Sequence, residues 1–333
     1  MSNATLFCST GDENVDTLLR EVINRVEQAL PGRIRGYYVV GSHADGSALP
    51  ASDIDLDIVV KGGLDDEATQ AARTIAQDIV NGYAASRAVD LGAFLMHEAR
   101  MQGIGNPAFK LASLFLYGQD IRDDLSLTPS EEWARGLMHS MYLVTGRERG
   151  LSALTYPLDY PDPHGEFYGY DHNTKSQPDG AMRRGTRGLV TGAGWYATAM
   201  IALGTGQYVL RKRDVPDCYR QYVGDEWAPF LDTLYARCRA EWRYQLPEQP
   251  GDRDILCDLC ERYLAFENHF LSAYKDFVLA DLRGNDEPAV RQTLRALHRL
   301  PYKDEDIRIA LQDIGARGTL EARQAAADTL AYH

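Results

Sequence analysis

Two carboxylates stand two residues apart at the head of an otherwise apolar run, Asp53-Ile54-Asp55-Leu56-Asp57-Ile58-Val59-Val60. The run is rich in β-branched residues and stops at Gly62-Gly63, which predicts a strand over Ile54–Val60. Alternate residues of a strand share a face. Asp53 and Asp55 therefore point the same way, and Asp57 has their parity. Neighbouring carboxylates repel each other and resist leaving water. An apolar strand that carries them together calls for a cation. Magnesium suits such a pair, because it takes oxygen ligands, few of them from protein and the rest from water and substrate phosphates.

A second feature lies upstream. Ile34–Val40 is β-branched and aromatic and predicts a strand, and Gly41-Ser42 follows at once. A Gly-Ser turn that opens a helix presents backbone N–H groups and a hydroxyl to phosphate. Gly41 lets the backbone approach closely, because no Cβ intervenes. A phosphate cradle followed by a cation-binding pair on the next strand suits nucleotidyl transfer from a nucleoside triphosphate with Mg²⁺.

The surrounding pattern gives a fold class. Val15, Leu18, Leu19, Val22, Ile23 and Val26 recur at helical spacing before Pro31-Gly32. A helix is expected over 64–83 and a third strand over 87–95. From residue 131 the pattern turns helical, with helices expected over 131–147, 186–203, 227–244 and 254–282. Two or three short helices are expected over 286–333. The reading is α+β: a nucleotidyltransferase domain with a mixed sheet over 1–128, a helical bundle over 129–285 that closes on substrate and nucleotide, and a short helical extension over 286–333. Residues 156–172, rich in Pro, Gly and Tyr, read as an ordered irregular loop over a pocket.

The pattern Gly-Ser-x-x-Asp-Gly-x-x-x-x-x-Ser-Asp-Ile-Asp-Leu, Gly41 to Leu56, resembles the polymerase-β-like nucleotidyltransferase superfamily. Its form is similar to the aminoglycoside adenylyltransferases that act on streptomycin and spectinomycin. The resemblance implies that Asp53 and Asp55 hold two Mg²⁺ ions and that Gly41, Ser42 and Ser52 seat the phosphates of ATP. It implies a third carboxylate from a later strand, here Asp90, which ligates metal or accepts the proton of the attacking hydroxyl. Many streptomycin-type relatives carry Glu at that place. The segment 205–214, Thr-Gly-Gln-Tyr-Val-Leu-Arg-Lys-Arg-Asp, resembles the family's Thr-Gly…Ser-Lys segment. By that match Lys212 reaches the triphosphate, with Arg211 and Arg213 beside it.

Composition narrows the class of partner. The chain of 333 residues carries 48 acidic against 35 basic side chains, a net charge of −13. That balance disfavours nucleic acid as a partner and favours cationic small molecules. No apolar run reaches the roughly 18 residues of a membrane-spanning helix. Five sparse cysteines fit reduced thiols and a cytoplasmic location. Cys257-Asp258-Leu259-Cys260 reads as two thiols packed in a helix. His43 reads as a solvent-exposed loop residue.

The expected activity is a Mg²⁺-dependent adenylyltransferase. It would move AMP from ATP to a hydroxyl of a small polar acceptor, such as an aminoglycoside in antibiotic resistance, and release pyrophosphate. The alternatives are adenylylation of a biosynthetic metabolite or antibiotic precursor, adenylylation of a partner protein, and an inactive nucleotide-sensing interaction protein.

Overall fold

A computed structural model describes residues 4–49, 52–62, 66–87, 89–98, 106–176 and 182–332. The chain divides into two compact units, one of residues 1–129 with 208–214, the other of 130–207 with 215–333. The fold is α+β: a mixed sheet with helices in the first unit, helices in the second.

The first unit runs α1 (Glu13–Ala29), β1 (Ile34–Val40), β2 (Ile54–Val60), α2 (Glu67–Arg87), β3 (Leu91–His97), α3 (Pro107–Ala112) and β4 (Leu114–Gly118). Asp12 caps α1, its carboxylate accepting from the N–H groups of Asn14 and Val15. The sheet order is β3-β2-β1-β4. β1 pairs antiparallel with β2 and with β4, whereas β2 and β3 are parallel. The parallel pair follows from the crossover through α2. That helix runs to Arg87 and β3 starts at Leu91, so both lie later in the chain than their sequence-predicted bounds. Arg87 at the helix end is tied to Glu21 of α1 at 2.5 Å.

The two sheet faces differ. Ile54, Leu56, Ile58 and Val60 of β2 pack with Leu91 and Leu95 of β3 and with the apolar stripes of α1 and α2. On the opposite face, Tyr38, Val59 and Phe115 pack with Phe109 of α3. Tyr38 is fully buried, yet its hydroxyl is satisfied. It accepts from the Ile121 N–H at 2.9 Å and donates to the Gln119 carbonyl at 3.2 Å.

The second unit contains α4 (Ser130–Glu148), β5 (Leu154–Thr155), β6 (His172–Ser176), β7 (Met182–Arg184), α5 (Arg187–Thr205), α6 (Val215–Tyr222) and α7 (Ala228–Leu234). These are followed by a π-helical stretch (Tyr235–Glu241), α8 (Pro250–Arg283), α9 (Glu287–Arg299), β8 (Tyr302–Lys303), α10 (Glu305–Arg317) and α11 (Leu320–Leu330). The single helix expected over 227–244 is thus an α-helix that passes into a π-helix. It ends where Arg243 and Tyr244 take positive φ. Residues 286–333 pack inside this unit, since Leu294, Leu297, Ile307 and Leu311 are buried.

The aromatic loop over 156–172 is ordered and lies on α8. Asn268 binds the backbone of Leu158 in both directions, at 2.7 and 3.1 Å. Tyr168 donates to Glu261 at 2.9 Å, and Phe167 is buried beneath the Arg253 guanidinium. Under the loop, Arg149 and Glu267 form a buried ion pair. Tyr170 and Tyr196 add hydroxyl donors to Glu267 at 3.0 and 3.2 Å. All five cysteines are thiols, and Cys260 is buried within α8. Among the described residues no helix is long and apolar enough to cross a membrane.

His139 makes this unit sensitive to acid. It lies buried in α4, with Nδ1 3.0 Å from the Tyr274 hydroxyl. Burial, opposed by Asp281 and reinforced by Arg135, pushes its pKa down to about 4. The folded state therefore keeps His139 neutral where the unfolded chain takes up a proton. Stability is full above the ordinary value near 6.5 and falls as pH drops from there towards about 4. The loss expected from this group is about 3 kcal/mol. Chemical denaturation at pH 7.5 and pH 4.5 should show the drop in the native protein and a smaller one in His139→Gln.

Candidate active site

The register of β1, β2 and β3 assembles the site. Val40, the last residue of β1, pairs with Asp55. Asp55 pairs on its other side with Gly92, and Asp57 pairs with Phe94. Ile54 donates its N–H to the Asp90 carbonyl at 2.8 Å. Continuing that register puts Asp53 alongside Asp90 at the strand starts. Asp53, Asp55, Asp57 and Asp90 therefore share one sheet face, opposite the core of α1 and α2. Asp53 and Asp55 are half-buried, Asp90 is exposed and Asp57 is 8% exposed.

Gly41 meets this face directly. Its φ is +72°, a left-handed conformation that favours glycine. A Cβ there would lie 3.2 Å from Asp55 Oδ2. The glycine thus serves twice, in turning the chain and in letting the backbone approach the carboxylate. The helix expected after Gly41-Ser42 is a single 3₁₀ turn, Gly41–His43. The Ala44 and Ser47 N–H groups bind the Gly41 and Ser42 carbonyls at 3.1 and 3.0 Å. As at any helix start, the first N–H groups have no partner within the turn.

Other sequence-predicted residues fall as follows. Ser52 closes the loop: its Oγ accepts from the Leu49 N–H at 2.9 Å, which leaves the hydroxyl proton to donate. Lys212 begins a 3₁₀ turn, Lys212–Asp214, and the exposed Arg211 gives its carbonyl to the Asp214 N–H at 3.0 Å. Both belong to the 208–214 segment that clusters with the first unit. Arg213 supplies a link that the sequence does not advertise. It donates to the Asp45 carbonyl at 3.2 Å and lies 3.9 Å from the Asp45 carboxylate. The basic segment is thereby joined to the loop between Gly41 and Asp53.

His43 departs from its expectation. It is buried, and among the described residues its Nε2 has no hydrogen-bond partner. Asp57 was marked only by its parity, yet it is the most perturbed carboxylate of the face. Burial first, and the charge of Asp55 second, push its pKa up to about 7. Both causes disfavour the ionised carboxylate. Among the described residues no three or more His, Cys, Asp and Glu side chains form a ready-made metal centre, His164 and His172 included. The donor set of Asp53 and Asp55 fits an ion that completes its shell with water and phosphate oxygens.

Residues 19–92 match the family model of the nucleotidyltransferase domain. No curated protein sequence matches the chain. A crystal structure of the spectinomycin adenyltransferase AAD(9) from Enterococcus faecialis, with ATP and spectinomycin, overlaps with a TM-score of 0.44 at 11% identity. The overlap covers 76% of this chain and 100% of that one. The matched stretch spans α1 from Leu19, β1, the Gly41-Ser42 turn, β2, α2 and the start of β3. Over that stretch the chain is similar to a nucleotidyltransferase domain.

The raised pKa of Asp57 gives a signed prediction. The folded state holds that proton at pH values where the unfolded chain has lost it. Asp57 therefore costs stability increasingly as pH rises from about 4 to about 7. Without divalent cations, Asp57→Asn should melt at a higher temperature than the native protein at pH 8. The gain should be on the order of a few kcal/mol and should vanish near pH 4. Equal melting temperatures at pH 8 would contradict the buried pairing.

Proposed function

We propose that the protein is a Mg²⁺-dependent adenylyltransferase that moves AMP from ATP to a hydroxyl of a small polar acceptor, such as an aminoglycoside, and releases pyrophosphate. The observation that carries this reading is the contact of the Gly41 turn with Asp55, on the face shared with Asp53 and Asp90. On this reading the turn that would seat phosphate lies within reach of the carboxylate pair, inside the stretch similar to a nucleotidyltransferase domain.

The residues divide the work. Gly41 and Ser42 would seat the phosphates, with Ser52 holding the loop behind them. Asp53 and Asp55 would hold the metal ions, with Asp90 as a further ligand. Two Mg²⁺ ions, when bound, neutralise charge on the attacking and leaving oxygens. Asp90, exposed beside Asp53, would accept the proton of the acceptor hydroxyl. Lys212 and Arg211 would balance the charge of the triphosphate. The order across the sheet is consistent: phosphate seat at the end of β1, carboxylate pair on β2, proton acceptor at the head of β3.

The test is direct. The protein, Mg²⁺ and each nucleoside triphosphate are incubated with aminoglycosides and other hydroxylated metabolites. Pyrophosphate is measured, and products are weighed for one added AMP. Asp53→Ala should lose at least about a hundredfold in turnover, as expected when a group stabilising the transition state is removed, with an unchanged melting temperature. Retained turnover in that variant would falsify the assignment. Gly41→Ala should lose about 1–2 kcal/mol of stability, the left-handed penalty for a side chain. Its turnover should fall further than that stability loss accounts for, because the new Cβ crowds Asp55.

A further inference from the structure

Beyond the carboxylate pair, the same sheet face carries two side chains to which the proposed reaction gives no role. Asp57 and Phe94 are register partners on β2 and β3. They stand about 5 Å apart across the parallel pair and point the same way. Phe94 is 68% exposed, a large apolar ring on the face that carries Asp55 and Asp57 and, buried beyond them, Tyr38 and Val59. Its neighbours Leu91 and Leu95, which face the other way, are buried. One pleat towards Asp90 is Gly92, opposite Asp55, whose Oδ1 would lie 3.9 Å from a Cβ built on that glycine.

Asp57 is more than nine-tenths buried. Among the described residues no side chain or backbone group donates a hydrogen bond to it, and no Arg or Lys pairs with it. With neither kind of partner, its carboxylate has only solvent to offset the cost of burial. An aromatic ring beside it offers the negative face of its π-system. Carboxylate and ring ask for the same partner, a cation with a flat or apolar flank.

We infer that Asp57 and Phe94 form a specificity subsite for a protonated amine or guanidinium group on the acceptor. The inference rests on the transferase reading above, because that reading places the acceptor on the β3 side of the carboxylate pair. Phe94 lies four residues along β3 from Asp90, about 13 Å at strand rise. A hydroxylated ring compound of that span would present its hydroxyl to Asp90 and its cation to Asp57 and Phe94. Gly92, between them on the same face, adds no side chain of its own to that path.

The test is a set of calorimetric titrations of the full-length protein with streptomycin, spectinomycin and myo-inositol. The first two are cationic ring compounds and the third is a neutral one. Mg²⁺·ATP is titrated separately. The native protein should bind at least one of the cations and bind myo-inositol far more weakly. Phe94→Leu keeps apolar area and loses the π-face, so it should weaken the cation about fivefold. Phe94→Trp should retain it. Asp57→Asn should weaken it about tenfold. Phe94→Leu should leave Mg²⁺·ATP affinity unchanged. If neither cation binds the native protein while Mg²⁺·ATP does, or if Phe94→Leu binds the cation as tightly as the native protein, the subsite is wrong. If Mg²⁺·ATP itself fails to bind, the transferase reading fails, and the subsite falls with it.

Discussion

The pairing of Val40 and Gly92 on either side of Asp55 is the constraint on which the first unit depends. A slip of one residue in β2 would turn every carboxylate into the core and every core residue outward. What prevents the slip is the other face. Ile54, Leu56, Ile58 and Val60 are almost wholly buried against α1 and α2. Each such side chain contributes roughly 1.5–3 kcal/mol on burial. The hydrophobic core behind the sheet thus fixes the carboxylates in front of it.

That solution has an electrostatic cost, concentrated at Asp57, where burial and the charge of Asp55 act in the same direction. The second unit manages a buried charge differently. Arg149 and Glu267 neutralise one another, and the hydroxyls of Tyr170 and Tyr196 satisfy the carboxylate further. Breaking such a network leaves an uncompensated buried charge. The contrast is informative. Where the chain needs only a scaffold, it completes the network internally. On the sheet face Asp57, buried beside Asp55, has no such internal network among the described residues.

The sequence made the strands, the carboxylate pair and the Gly-Ser turn legible, because each is a local pattern. Alternation over Ile54–Val60 sets the face, and the short interval from Gly41 to Asp53 places turn and pair on adjacent strands. Features that join distant parts of the chain left no such trace. Arg149 meets Glu267 across 118 residues, and Arg213 meets Asp45 across 168. The aromatic loop looked like a cover for a pocket, because Tyr and Pro content does not say which surface receives it. That surface is α8, through Asn268 and Glu261. The burial of His43 was hidden for the same reason, since a three-residue turn has no periodicity from which to read its inward side. The π-helix at 235–241 is locally indistinguishable from the α-helix before it.

The acidic balance can be divided in the same physical terms. Many acids sit in short-range surface pairs, such as Arg220 with Asp217, Arg237 with Glu241 and Arg308 with Glu305. Such exposed pairs contribute little to stability and are screened by salt. Each pair is neutral as a whole, so the net charge of −13 comes from acids outside such pairs. Asp53, Asp55, Asp57 and Asp90 differ because one sheet face gathers them, with low-dielectric protein behind. There, charges act together and are least screened. The cation preference proposed for this face therefore rests on the parity of two strands rather than on the composition of the chain.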